Sequence, residues 1–298
     1  PFLGGGSVAL HITKKYPNLK IVVNDLYEPL YNFWLHLQCN GEYLHLALKD
    51  IKSRHPDRSS ARDLFTQAKE KLSDETTLDQ ERAVAFYIVN KCSFSGLTES
   101  SSFSEQASDA NFSMRGIDKL PMYTEMIKNW YITNVDYRHM LGDGEKTFAY
   151  LDPPYTAADY STYYHIWDSI ARWDKPEVSL KTNRRIDRVK QKTNEHWDKS
   201  MKSPWYSKND ALKATRKLID RLPVRYCVFS YSDEGLISYK EMEDLCKEYA
   251  DYKFHQQEHD RHVMSRIGAG GDQAENAKKK KNIEYVIVID KGGNDVGR

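Results

Sequence analysis

Asp152-Pro153-Pro154-Tyr155 combines an acid, a rigid turn and an aromatic ring directly after the apolar run 148–151. A proline fixes its own φ at about −65° and keeps the preceding residue out of the helical region, so the Asp152 carboxylate and the Pro153 carbonyl are held at a strand exit. Both groups accept hydrogen bonds, and the amino group of a nucleobase offers two donors. Tyr155 adds a face on which a base could stack. The motif predicts amino-group chemistry on a flipped base; an ordinary Pro-Pro sheet exit is the alternative.

A glycine-rich turn, Phe2-Leu3-Gly4-Gly5-Gly6-Ser7, stands directly before a helical pattern. Because glycine lacks Cβ, a ligand can approach this backbone closely near the N-terminus of the helix. Asp25 ends the next strand pattern about 20 residues further on, where this topology places an acid that holds ribose hydroxyls. The pair predicts binding of NAD or S-adenosylmethionine, although the glycines do not match G-x-G-x-x-G and nothing indicates a hydride acceptor. The alternative is an ordinary glycine turn.

Asp136 and Tyr137 follow a strand pattern that ends at Val135. Doubly wound proteins bind ligands at the carboxyl ends of their strands, so Asp136 could accept a hydrogen bond from an adenine amino group. The equal alternative is that Asp136 caps the short helix that follows it.

The rest of the pattern supplies the elements that must position these residues. Strands alternate with helices at both ends of the chain, and only helical patterns occur between them. Strands are predicted over 19–24, 130–135, 147–151, 224–230, 252–257 and 284–290, and helices over 7–15, 28–38, 43–51, 61–72, 81–91, 209–221 and 238–249. This alternation predicts an α/β fold with a doubly wound sheet.

Composition limits the function classes. The chain has 298 residues, of which 40% are hydrophobic, enough for one large domain or a domain with an insertion. No apolar stretch reaches the roughly 18 to 20 residues that span a bilayer, so no membrane segment is predicted. The four cysteines form no C-x-x-C pair, and we interpret them as reduced thiols in the core. The net charge is only +1, but 181–202 carries eight basic and three acidic residues and could track phosphates, or simply form a solvated face.

Taken in order, these motifs resemble those of the Dam-type DNA adenine-N6 methyltransferase family, in its alpha order. That order runs from a cofactor loop through an inserted target-recognition domain to a DPPY motif. The matching segments are PFLGGGS, NDLYEPL, VDYRHML, YLDPPY, FSYSDEGL and IEYVIV. Because they extend over nearly the whole chain, the resemblance implies a Rossmann-like methyltransferase sheet and S-adenosylmethionine as the cofactor.

The resemblance also implies a role for each matching residue. The implied cofactor-binding residues are Phe2, Gly4, Gly6, Asp25, Asp136, Tyr137 and Asp152. Among them, Asp25 would hold the ribose and Asp136 the adenine ring. Asp152, Pro153, Pro154 and Tyr155 would form the catalytic motif, with no metal required. The chain begins at Pro1, directly before the glycine loop, so we expect the family's preceding lysine-bearing glycine motif upstream of Pro1, and weaker cofactor binding without it.

The 127 residues that separate Asp25 from Asp152 leave room for an inserted domain. We predict a mainly helical target-recognition domain over 43–115 that contacts double-stranded DNA, and a catalytic domain formed by 1–42 and 116–298. Within the insertion, KCSFSGL at 91–97 is similar to the family's Asn-Phe-Asn-Gly loop, but serines replace the asparagines. The recognition sequence is therefore not predicted.

The predicted reaction transfers a methyl group to the amino group of an adenine flipped out of DNA. Asp152 and the Pro153 carbonyl would accept hydrogen bonds from that amino group and orient its lone pair. The alternatives are a cytosine-N4 DNA methyltransferase, a catalytically silent DNA-binding relative and a nicotinamide-dependent oxidoreductase. The family further implies a cytoplasmic location, in a bacterium or in the host of a phage, and a cognate restriction endonuclease as a potential partner.

Overall fold

A computed structural model describes residues 1–55, 57–93, 96, 102–140, 144–153, 204–260 and 281–292. These residues form two compact units. The N-terminal unit contains 3–135, and the C-terminal unit contains residues 1–2 together with the described residues from Asp136 onward.

Two parallel strands and eight helices make up the described part of the N-terminal unit. Strands β1 (Ile21–Asn24) and β2 (Trp130–Thr133) pair so that Ile21 lies opposite Trp130 and Asn24 opposite Thr133. The helices are α1 (Ser7–Lys15), α2 (Glu28–Cys39), α3 (Gly41–Arg54), α4 (Arg58–Ser73), α5 (Asp79–Cys92), α6 (Glu105–Asn111), α7 (Met114–Ile117) and α8 (Leu120–Ile127).

One hydrophobic core joins these elements. Helix α5 is buried on nearly all sides from Ala83 to Val89, as expected of a helix whose sequence is apolar all round. Leu48 of α3 and Phe65 of α4 lie in the same cluster as Val23 of β1 and Trp34 of α2. The helices within 43–115 therefore share a core with the strands, and the boundaries of the inserted domain remain predictions.

Three short helices, α6 to α8, were not predicted from hydrophobic periodicity. Helix α6 lies in a polar stretch and begins at Ser104, whose hydroxyl accepts a hydrogen bond from the Ala107 N–H. Ser113 caps α7 in the same way, through the Gly116 N–H. Capping of this kind stabilises a helix too short to show an apolar stripe, which explains why the periodicity did not indicate α6 and α7.

The C-terminal unit contains a four-stranded sheet in the order β3-β4-β6-β5. Its strands are β3 (Gly144–Leu151), β4 (Val224–Ser232), β5 (Asp251–Asp260) and β6 (Lys281–Asp290). β3 runs parallel to β4, whereas β6 is antiparallel to both of its neighbours. The helices are α9 (Lys208–Arg221) and α10 (Tyr239–Cys246), with 3₁₀ turns at Tyr137–His139 and Pro204–Tyr206.

Alternating side chains of this sheet build the second core. Leu151, Phe229 and Ile287 lie opposite one another on β3, β4 and β6, and all three are fully buried with Leu218 of α9 and Met242 of α10. Because side chains alternate along a strand, the residues next to them lie on the other face. Leu151 is the last residue of β3, so Asp152 stands at the carboxyl end of this strand.

The predicted mixed α/β class is confirmed, and each strand and helix predicted above overlaps one in the structure. The described strands form a two-stranded and a four-stranded sheet, so a single doubly wound, Rossmann-like sheet remains a proposal. No helix among the described residues is long and apolar enough to span a membrane.

The cysteines are confirmed as free thiols, but the prediction that all four lie in the core is wrong for Cys39, which is exposed. The buried stripe of α2 runs through Phe33 and Leu37. Cys39 is two residues beyond Leu37 and therefore lies on the opposite side of the helix. Burial raises the pKa of the Cys92 thiol to about 12 and that of Cys227 to about 11.

Candidate functional site

The glycine turn at the start of the chain has the backbone conformation that glycine favours. Gly4 and Gly6 have φ of +52° and +69°, and α1 begins directly after Gly6. A Cβ on Gly6 would lie 2.7 Å from Cζ2 of Trp34, whereas a Cβ on Gly5 would meet nothing within 4 Å. The Trp34 indole N–H also donates to the Gly4 carbonyl at 3.2 Å. Gly6 is thus required by the fold, and open space lies beside Gly5.

Asp25 directly contacts this turn. Its Oδ2 accepts from the Gly4 N–H at 2.9 Å, and its Oδ1 accepts from the Tyr27 N–H at 3.0 Å. A carboxylate offers about four acceptor positions, so two remain for other donors. The glycine turn and the acid about 20 residues further along the chain are therefore hydrogen-bonded directly, while the ribose-binding role of Asp25 stays a prediction.

Two asparagines that sequence reasoning missed hold the strand ends next to Asp25. The Asn24 side chain is 1% exposed; its Oδ1 accepts from the Val135 N–H and its Nδ2 donates to the Val135 carbonyl, both at 2.9 Å. Asn134 Nδ2 donates to the Asp25 carbonyl at 2.7 Å. These side chains replace ladder hydrogen bonds where β1 and β2 end. A polar residue closing an apolar strand pattern was the available signal.

In the C-terminal unit, three aromatic rings pack on one another. The ring centroids of Phe2 and Tyr137 are 5.6 Å apart, and Trp205 lies 6.2 Å from Phe2 and 6.0 Å from Tyr137. Trp205 is fully buried. Trp205 was not singled out from the sequence, because the fold alone brings it to Phe2 and Tyr137.

Asp136 caps the 3₁₀ turn that follows it. Its Oδ1 accepts from the Arg138 N–H at 2.9 Å and from Arg138 Nε at 2.8 Å, and its Oδ2 accepts from Nη2 at 2.8 Å. The hydrogen bonds from Arg138 hold the pKa of the Asp136 carboxyl below its usual range. The structure shows the capping role that the sequence left as an alternative, while contact with an adenine ring stays a prediction.

Asp152 lies just beyond the carboxyl end of β3. Leu151 pairs with Phe229 of the parallel strand β4, and Pro153 is buried. The Asp152 carboxylate keeps exposed surface, yet the protein around it removes enough water to raise its pKa, and the negative charge of Glu284 raises it further. A hydrogen bond from Tyr150 opposes this rise. Pro154 and Tyr155 lie outside the described residues, as does the basic segment 181–202.

No three His, Cys, Asp or Glu side chains within the described ranges could hold a metal ion together. The arrangement is that of an α/β protein with a glycine turn joined to an acid at one strand end and a second acid, followed by proline, at another. These features define a mixed α/β protein that carries acids at the ends of its strands. The family model of the D12 class N6 adenine-specific DNA methyltransferases matches residues 1–245, so the chain belongs to that family, as the sequence predicted.

Three individual DNA methylases and methyltransferases are also similar to the chain. Modification methylase LlaI of Lactococcus lactis subsp. lactis is 31% identical over 118 residues, 40% of this chain and 16% of that protein. Type II methyltransferase M.NlaIII of Neisseria lactamica is 29% identical over 142 residues, 48% of this chain and 37% of that protein. Type II methyltransferase M.FokI of Planomicrobium okeanokoites is 30% identical over 139 residues, 45% of this chain and 20% of that protein. The chain therefore spans less than two fifths of the length of each.

Proposed function

We propose that the protein transfers a methyl group from S-adenosylmethionine to the exocyclic amino group of adenine in double-stranded DNA. The observation that carries this proposal is the acid of the DPPY motif, Asp152, held beyond the carboxyl end of β3 in a chain that belongs to the D12 class. A carboxylate in that position can accept a hydrogen bond from an amino group, which is the group that this family is named for modifying.

The residues of the N-terminal unit fit a nucleoside cofactor. Open space beside Gly4 and Gly5 admits a ligand to the backbone, and the N-terminus of α1 follows directly. The two free acceptor positions on Asp25 would bind ribose hydroxyls. S-adenosylmethionine, when bound, supplies an electrophilic methyl group. The protein would then bind and orient this cofactor without taking part in covalent chemistry.

Residues of the C-terminal unit fit an adenine ring and a target base. Phe2 and Tyr137 provide aromatic surface, and Arg138 takes three acceptor positions of Asp136, so about one remains for an adenine amino group. Asp152 and the Pro153 carbonyl would accept from the amino group of the target adenine, and Tyr155 would stack on its ring. Flipping that base costs a few kcal/mol of unstacking, which these contacts would offset.

The wider setting follows from this activity. We propose that the predicted insertion 43–115 contacts the duplex and that the catalytic domain has a Rossmann-like fold. Activity on bacterial or phage DNA would place the protein in the cytoplasm. Since one relative is named as a modification methylase and two are named as type II methyltransferases, a cognate restriction endonuclease is proposed as a partner.

The decisive experiment identifies the methylated base. Unmethylated duplex DNA is incubated with the purified protein and S-adenosylmethionine, digested to nucleosides and analysed by mass spectrometry. We expect N6-methyladenine, absent from a reaction with the Asp152→Ala variant. N4-methylcytosine instead would overturn the choice of base, and duplex binding without any methylated base would indicate a silent DNA-binding relative. A rise in Tm with S-adenosylmethionine but not with NAD would exclude the oxidoreductase alternative.

A further inference from the structure

Tyr150 and Ser230 lie side by side at the carboxyl ends of β3 and β4. Tyr150 is opposite Val228 in the parallel ladder, and Ser230 is two residues further along β4. Because residues two apart on a strand share a face, Tyr150 and Ser230 project to the same side of the sheet. Their neighbours Leu151 and Phe229 are fully buried on the other side. The face that carries Tyr150 and Ser230 is thus not the face that packs the core.

Asp152 lies on the same face as Tyr150 and Ser230. It follows Tyr150 by two residues at the end of β3, and Ser230 stands two residues beyond Val228, which pairs with Tyr150. Hydrogen bonding to Ser230 and to Asp152 affects the pKa of the Tyr150 hydroxyl. An ionised carboxylate only accepts, so in this arrangement Tyr150 would donate to Asp152 and its oxygen would accept from Ser230.

Glu284 adds a second carboxylate to this end of the sheet. It stands in β6 opposite Ser232 of β4, and its negative charge acts on both Tyr150 and Asp152. Glu284 is itself exposed, and its Oε2 is 3.6 Å from Nε2 of His259 in β5. The described groups that act on Asp152 are therefore Tyr150 on its own strand and Glu284 two strands away, with His259 behind Glu284.

We propose that Tyr150 and Ser230 are positioning residues that hold the Asp152 carboxylate in place as the acceptor for the amino group of the target base. This inference rests on the proposed function and adds two residues that the DPPY motif does not include. Tyr150 would donate a hydrogen bond to one carboxylate oxygen of Asp152, and Ser230 would donate one to the Tyr150 hydroxyl. The remaining acceptor positions of Asp152 are then presented to the base in one orientation, which is what positioning for catalysis requires.

The electrostatics of Asp152 agree with this role. Burial raises the pKa of the Asp152 carboxyl, the charge of Glu284 raises it further, and the hydrogen bond from Tyr150 lowers it. Loss of the Tyr150 hydroxyl should therefore raise the pKa of Asp152, and loss of the Glu284 charge should lower it. Two single substitutions are thus expected to move one titration in opposite directions.

The test measures kcat and KM for methyl transfer to DNA as a function of pH in Tyr150→Phe and Glu284→Gln variants of the purified protein. For Tyr150→Phe we expect kcat to fall by about tenfold with little change in KM for S-adenosylmethionine, and the acidic limb of the kcat profile to move to higher pH. For Glu284→Gln we expect the acidic limb to move to lower pH. Ser230→Ala should shift the limb in the same direction as Tyr150→Phe, by less.

Limbs that stay in place, or that move in the same direction in Tyr150→Phe and Glu284→Gln, would overturn the proposal. Thermal unfolding separates these outcomes from misfolding, and Ser230→Ala, which removes one hydroxyl and keeps the Tyr150 ring, tests the same hydrogen-bond chain if Tyr150→Phe is unstable. A wild-type protein that makes no N6-methyladenine would instead refute the proposed function. The two failures are therefore distinguishable.

Discussion

Asp25 and Asp152 each follow the carboxyl end of a parallel strand, but their carboxylates are held by different kinds of group. Asp25 accepts from two backbone N–H groups, those of Gly4 and Tyr27. The pKa of Asp152 is lowered by the neighbouring Tyr150 hydroxyl and raised by burial and by the charge of a second acid, Glu284. The environment of the Asp25 carboxylate is therefore formed by the backbone around it. The environment of the Asp152 carboxylate is formed by side chains of two strands, β3 and β6.

This difference suits the two different tasks that we propose for these residues. Backbone donors hold a carboxylate in a fixed place, which serves the binding of a cofactor that must sit in one position. A partly desolvated carboxylate with a raised pKa interacts more strongly with a donor than one in water, which serves a reacting amino group. Substitutions at Asp25 should therefore affect cofactor binding, while those at Asp152 should affect the rate of methyl transfer.

The largest effect is expected from Asp152→Ala. Removal of the acceptor should lower kcat by at least about a hundredfold, because the amino group loses the charge that positions it. Transfer of labelled methyl groups from S-adenosylmethionine to DNA gives the rate, and a gel-shift assay should show nearly unchanged duplex binding. Retained activity would show that Asp152 is not a catalytic residue. The proposed difference in function between Asp152 and Asp25 would then be wrong.

Gly6→Ala tests whether the turn that contacts Asp25 requires a glycine at position 6. The left-handed φ of Gly6 and the 2.7 Å approach of its built Cβ to Trp34 predict a loss of stability. We expect about 2 to 4 kcal/mol from the strained backbone and the overpacking together, measured by urea unfolding. The matched control is Gly5→Ala, which meets no neighbour and should cost less than about 0.5 kcal/mol. Equal costs for the two variants would contradict this account.

Asp25→Ala should weaken S-adenosylmethionine binding by on the order of tenfold to a hundredfold, since hydrogen bonds to a charged group are lost. Isothermal titration calorimetry measures the Kd, and Asp25→Asn, which keeps one acceptor oxygen, should fall between wild type and Asp25→Ala. At saturating cofactor, kcat should change little. A lower Tm with unchanged Kd would show that Asp25 only holds Gly4 and Tyr27 in place.

Arg138→Ala sharpens the comparison with a third strand-end acid and should have the smallest effect. Arg138 depresses the pKa of Asp136, so the stability that this pair contributes is present above the unfolded-state pKa and is lost as the pH falls through the folded-state pKa. Since the pair is substantially exposed, we expect a loss below about 1 kcal/mol near neutral pH. Urea unfolding at neutral and acidic pH should show the difference between variant and wild type disappear in acid.

Much of the fold and the candidate site could be predicted because local signals are strong there. Apolar strand patterns ending at Asn24 and Leu151 indicated where Asp25 and Asp152 would stand, and glycines marked the turn that contacts Asp25. Helices α6 and α7 were missed because caps at Ser104 and Ser113, and not periodicity, define them. Trp205 and Ser230 were missed because nothing near them in the sequence connects them to Tyr137 or Tyr150.

The sequence by itself determined the family, the order of its motifs and the acids at the strand ends, since each depends on residues close together along the chain. Only the tertiary structure decided how each acid is held. The parallel pairing of β3 with β4 brings Ser230 to Tyr150, and the antiparallel pairing of β4 with β6 brings Glu284 to the same end of the sheet. These residues are separated by scores of positions in the sequence, and strand register alone makes them neighbours.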